Sequence, residues 1–231
     1  MIPLADSVHS RTIPLVNISL ILLNVLVFIY EYSLGRALDP FLFTWGVVPA
    51  QLLANPGGEW PTVLTAMFLH GGWLHLISNM WALWIFGDNV EDRMGSLTYL
   101  IFYLGAGMIA SLAQVFFSAG SGLPLIGASG AIAGVLGAYL VLFPSARVIG
   151  LVPIFFFFYT LELPAIIFLG FWFLSQLFIG AASLAFAETM QNAGGIAYWA
   201  HAAGFVVGLL VAPFFRRRPR QRYWPDQYYP F

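Results

Sequence analysis

Six apolar stretches, about 13–30, 71–86, 97–117, 128–143, 164–182 and 194–215, are separated by short polar segments, and they decide what this chain can fold into. A helix needs ~20 apolar residues to cross a bilayer. Inside the bilayer a segment must satisfy its own backbone hydrogen bonds, which favours helices. With 60% hydrophobic and 8% charged residues, the 231-residue chain has too little polar surface for a soluble domain. The expected fold class is all-α: a polytopic membrane protein with six transmembrane helices in a single domain over 1–231. A net charge of -1 argues against a nucleic-acid partner. Cysteine is absent, which excludes disulfides, thiolate metal sites and cysteine nucleophiles.

The first apolar run follows Asp6 and His9, and no small-residue cleavage site succeeds it, so it reads as a retained span. The loop from about Glu31 to Pro61 mixes charges and prolines with Phe41, Phe43 and Trp45, as suits a loop lying in the membrane interface. Asp88-Asn89-Val90-Glu91-Asp92-Arg93 reads as the return to water after the second span. Val148 to Leu163 is apolar but broken by Pro153 and Glu162, and is expected at the interface. A loop from Ser183 to Asn192 carries Glu188, and 216–231 forms a basic tail. Of nine arginines, only Arg36 falls on the side opposite the termini, so the positive-inside rule puts both termini in the cytoplasm. Even-numbered spans then run inward from the external face.

The polar residues hardest to explain lie at the heads of those even spans. Span 2 opens with His70-Gly-Gly-Trp-Leu-His75-Leu-Ile-Ser-Asn79, span 4 with Gly127-Ala128-Ser129-Gly130, and span 6 carries His201. His75 and Asn79 are four apart and share a helix face. Span 4 is about 24 Å long against a ~30 Å hydrocarbon core, so its head can start below the surface, at the depth of His201. Polar groups there are costly unless they meet one another or water. Such a meeting has a chemical reading. Neutral histidine can take the proton from a serine, and the oxyanion that follows attack on a carbonyl needs donors: the Ser129 N–H, the Asn79 amide and a His75 ring N–H. Spans 2, 4 and 6 contain no Asp or Glu, so a serine hydrolase here works with a Ser-His dyad.

At these residues the chain resembles the rhomboid family of intramembrane serine proteases. The motifs are those around His70, His75 and Asn79, then Gly127-Ala128-Ser129-Gly130, then Ala200-His201-Ala202-Ala203-Gly204 with Gly208. The resemblance implies a rhomboid-like six-helix bundle that cleaves single-span membrane proteins, with Ser129 as nucleophile and His201 as general base. His75, Asn79 and the Ser129 N–H would form the oxyanion hole; His70, Gly127, Gly130 and Gly204 would support it. It implies no cofactor, membrane lipids as surroundings, and an integral multi-pass protein of a prokaryotic plasma membrane whose site opens to the external face. Two departures stand out. Trp60-Pro61 lies where many members carry a Trp-Arg pair, and Ala133 occupies the position of a tyrosine that stacks on the catalytic imidazole in some members.

Plainer readings compete. A serine among small residues packs membrane helices, and a lone intramembrane histidine can be structural. Three histidines suggest a metal, but no carboxylate or cysteine accompanies them. The aromatic stripe of span 5 reads as lipid contact, with Trp172 as an alternative lateral gate for substrate. Gly204 and Gly208 read as a close contact between spans 4 and 6. A catalytically silent, client-binding relative and a small transporter are the other function classes; a transporter would spread its polar residues through the full depth rather than at one end. The sequence leaves the oligomeric state open.

Overall fold

The computed structural model describes residues 2–154, 157–185 and 197–215. A strand, β1 (Ile2–Asp6), precedes the first helix, α1 (Leu15–Ser33). The expected interfacial loop folds into short helices: α2 (Leu38–Trp45), α3 (Pro49–Ala54), α4 (Pro56–Glu59) and α5 (Thr62–Thr65). Then come α6 (Trp73–Met94), α7 (Ser96–Phe117), α8 (Ser129–Leu142), strands β2 (Arg147–Ile154) and β3 (Phe157–Pro164), α9 (Ala165–Ala185) and α10 (Tyr198–Val211). The loop carrying Glu188, residue 194 at the expected head of span 6, and the basic tail lie outside the described residues.

Among the described residues three helices are long and apolar enough to cross a membrane: Leu15–Ser33, Ser96–Phe117 and Ala165–Leu184. Ser129–Leu142 and Tyr198–Phe214 are shorter apolar helices. α8 is the centre of the bundle, with every residue from Gly130 to Tyr139 buried. It can be central because its partner lies backbone to backbone against it. A Cβ on Gly204 of α10 would overlap the Gly130 carbonyl, and one on Gly208 the Gly134 carbonyl. This is the close contact that small residues allow where the solvent supplies no hydrophobic drive.

Two expectations are corrected. The segment 88–93 is not a polar loop, because α6 continues through it to Met94 and turns Asn89, Val90 and Glu91 inward. Glu91 is only 1% exposed. Its carboxylate accepts from the N–H groups of Val16 (3.2 Å) and Asn17 (2.7 Å) and from Ser96 Oγ (2.7 Å). The positive end of the α1 dipole and its unpaired N–H groups thus satisfy the charge.

The all-α class is corrected to a mostly helical one, because β1, β2 and β3 form a three-stranded antiparallel sheet in that order. Asp6 pairs with Val148, Ile2 with Leu151, and β2 with β3 from Arg147↔Pro164 to Ile154↔Phe157. β-branched and aromatic residues dominate both hairpin strands, and Pro153 lies beyond the last residue paired with β1, where its missing N–H costs no ladder bond on that side. The sheet is tied to the helices. Asp6 Oδ2 accepts from Tyr139 of α8 and Asn89 of α6, and Trp81 Nε1 donates to the Pro3 carbonyl at 2.6 Å.

Candidate active site

Ser129 is the first residue of α8, so its N–H has no acceptor within the helix. Its hydroxyl lies 2.7 Å from His201 Nε2 in the first turn of α10. The loop before Ser129 is pinned from both sides: Val47 and Leu125 exchange backbone hydrogen bonds (3.0 and 2.7 Å), and the Gly127 N–H donates to the Ala66 carbonyl at 2.9 Å. Gly127 makes the turn at φ +126, a value side-chain-bearing residues rarely adopt. It also leaves room for His75, because a Cβ there would sit 2.8 Å from His75 Nε2 and 3.7 Å from Ser129 Oγ.

The remaining sequence candidates converge on the same place to different degrees. His75 Nδ1 accepts from the Gly71 N–H at 3.4 Å, which leaves the ring proton on Nε2, facing Gly127. Asn79 is buried, and its Nδ2 donor has no partner among the described residues. His70 is 1% exposed, with its ring 5.1 Å from that of His75. Its backbone N–H donates to the Glu31 carboxylate at 3.2 Å, which anchors the turn before α6. Gly130 and Gly204 sit in the α8–α10 contact, one residue and three residues along the chain from Ser129 and His201. No group of three His, Cys, Asp or Glu among the described residues is placed to hold a metal.

α9 is not the uniform lipid-facing stripe expected. Phe171 and Phe178 are 73% and 76% exposed, but Phe168 is buried and Phe173 stacks on Phe205 of α10 at 4.6 Å. Trp172 has its ring 5.8 Å from that of His201, tilted by 34°. Sequence reasoning missed two glutamines. Gln176 Oε1 is 2.8 Å from His201 Nδ1. Gln114 Oε1 of α7 accepts from the N–H groups of Trp199 and Ala200 (3.1 and 3.2 Å), capping the first turn of the helix that bears His201. The available signal was an amide inside an otherwise apolar run, which demands a partner. A cavity of about 20 Å³ lined by Met67, Ser111, Gln114, Gly127 and Ser129 adjoins the hydroxyl; it has room for one water molecule.

This fold and site define a helical membrane protein with a serine–imidazole pair at the heads of two helices in backbone contact. The Rhomboid domain family model matches residues 57–218, and the chain belongs to the rhomboid family. It is an integral membrane protein. It is 42% identical over 113 residues to Rhomboid protease GluP of Bacillus subtilis (strain 168), covering 49% of this chain and 21% of that one. It is 28% identical over 170 residues to the yeast (Saccharomyces cerevisiae) protein Rhomboid protein 1, mitochondrial, covering 70% and 44%. With Presenilin-associated rhomboid-like protein A, mitochondrial, of Danio rerio it shares 34% identity over 97 residues, 41% and 25% of the two chains. The chain thus spans less than half the length of these curated relatives.

Proposed function

We propose that the chain is a rhomboid-type serine endopeptidase that cuts peptide bonds in or beside the transmembrane segments of single-span membrane proteins. The observation that carries this reading is the 2.7 Å contact between Ser129 Oγ and His201 Nε2. Nε2 takes the hydroxyl proton as Oγ attacks the scissile carbonyl carbon. The oxyanion is met by the Ser129 N–H, the Asn79 amide and His75 Nε2–H, preorganised donors where charge develops. Collapse breaks the C–N bond, and His201 returns its proton to the leaving amine. Water, deprotonated by His201, then releases the acyl group from Ser129. The unpartnered Asn79 donor and the water-sized cavity beside the hydroxyl support these assignments.

In this reading six spans cross the bilayer with both termini cytoplasmic, and the site opens to the external face of a prokaryotic plasma membrane. α8, at 14 residues, is roughly 21 Å long, so its head sits below the surface of a ~30 Å core. Substrate reaches the pair past α9 beside Trp172, and must be extended at the cut because helical carbonyls are already hydrogen-bonded. Helix-weakening residues near the external interface, and a small residue before the cut, favour cleavage. Incubation with a model single-span substrate tests this. Wild type should cleave it, and Ser129→Ala and His201→Ala should not; equal cleavage by all three removes the proposal.

A further inference from the structure

We propose that Gln176 is a positioning residue for His201, so that the catalytic unit is a Ser129–His201–Gln176 relay contributed by three helices. This rests on the serine-protease reading above. The geometry is specific. Gln176 is 8% exposed, and its Oε1 lies 2.8 Å from His201 Nδ1. The amide is held the right way round by its neighbours: Nε2 donates to Ser175 Oγ at 3.1 Å, and the Ser175 hydroxyl donates to the Trp172 carbonyl. An amide oxygen only accepts, so the single ring proton of a neutral imidazole resides on Nδ1. The Nε2 lone pair is then the one facing the Ser129 hydroxyl, as a general base requires. With the other tautomer, Nε2–H would point at Oγ and no proton could be taken.

A neutral acceptor suits this place. A carboxylate would stabilise the imidazolium more, but it would have to be buried as a charge at membrane depth. Ala133 offers no ring to brace the imidazole, and Trp172 stands beside it instead. Gln176 and Trp172 both come from α9, which is held to α10 by the Phe173–Phe205 stack. The tautomer is therefore set by a helix that carries neither Ser129 nor His201, and turnover requires α9 to be seated.

The test uses the full chain in lipid bilayers, with Gln176→Met (similar shape, no acceptor). The His201 ring protons are read by 15N-histidine solid-state NMR at neutral pH and assigned by their loss in His201→Asn. Wild type should show Nδ1–H, and Gln176→Met a mixture of tautomers. Losing the outer partner of a metal-ligating histidine costs about 10- to 100-fold, and Gln176→Met should lower kcat by a similar order with KM little changed. Resident Nε2–H in wild type, an unchanged Nδ1–H signal in Gln176→Met, or wild-type kcat in that variant would each overturn the proposal. The wild-type spectrum decides even where Gln176→Met does not fold. Since the tautomer is read without turnover, a chain that cleaves nothing still tests Gln176, whereas Ser129→Ala tests the protease reading.

Discussion

Removing the acceptor at Gln114 should loosen the helix that holds the general base. Gln114 Oε1 takes two N–H groups, those of Trp199 and Ala200, at the start of α10 where no intrahelical acceptor exists. Losing a helix cap costs up to about 2 kcal/mol, so Gln114→Leu, which leaves two donors without an acceptor, should destabilise the chain by roughly 2 kcal/mol. Against an ordinary stability of about 5–15 kcal/mol the variant should still fold. It should also slow the chemistry. His201 directly follows Ala200, and a shift of about 1 Å in that first turn would take the 2.7 Å contact beyond hydrogen-bonding range. Misplacement on that scale can lower a rate by ~100-fold. Thermal melting in detergent, together with the rate of Ser129 acylation by a fluorophosphonate, reads both effects, and Gln114→Glu, which keeps the acceptor, is the control. An unchanged melting temperature in Gln114→Leu would refute the cap, even if acylation slowed, and would move the role of Gln114 to the cavity beside Ser129.

Glu91→Ala should destabilise the chain by about 3 kcal/mol, because it strands two charge-assisted N–H donors at the head of α1; acylation of the folded fraction should be normal, as judged by melting and labelling together. Gly127→Ala adds a side chain at φ +126 and against the His75 ring, so it should abolish cleavage while costing about 1–3 kcal/mol of stability in denaturation experiments. Burial raises the Asp6 carboxyl from 3.8 to about 6, more than the Tyr139 hydrogen bond lowers it. The fold therefore favours the protonated form, and this contribution to stability is whole below pH 3.8 and lost as the pH rises through about 6. Melting temperature should fall over that window in the wild type and less so in Asp6→Asn; parallel curves would exclude Asp6 as the group responsible.

The site was legible in the sequence where polarity conflicted with surroundings. Ser129, His201, His75 and Asn79 stand at the heads of apolar segments, where a polar group must have a reason. Gln176 has the same property, but the aromatic residues around it match the pattern of a lipid-facing helix and mask it. Only the 3.6-residue period, which puts Trp172 and Gln176 on one face, separates the inward stripe from Phe171 and Phe178. The hairpin was hidden for a different reason. Both of its strands are mostly apolar, and polar residues alternate with apolar ones only over Thr160–Leu163, so the period-2 signal is too short to read; β1, which completes the sheet, lies about 140 residues away in the chain. Glu91 looked like a solvent marker because its partners, the N–H groups of Val16 and Asn17, carry no sequence signature at all.

These failures share a cause that bears on the chemistry. Sequence patterns report what each segment needs, and tertiary structure decides which segment supplies it. The need of α8 is for a neighbour small enough to let its backbone through, and Gly204 and Gly208 on α10 meet it. Backbone contacts are stiffer than contacts between rotating side chains, so Ser129 and His201, each within three residues of the Gly130–Gly204 contact, inherit a separation fixed by main chain. A 2.7 Å hydrogen bond between two helices tolerates only tenths of an ångström. Meeting that tolerance with glycine backbones leaves the orientation of the imidazole, rather than its distance, as the variable still to be set, and α9 is the element in contact with the far side of that ring.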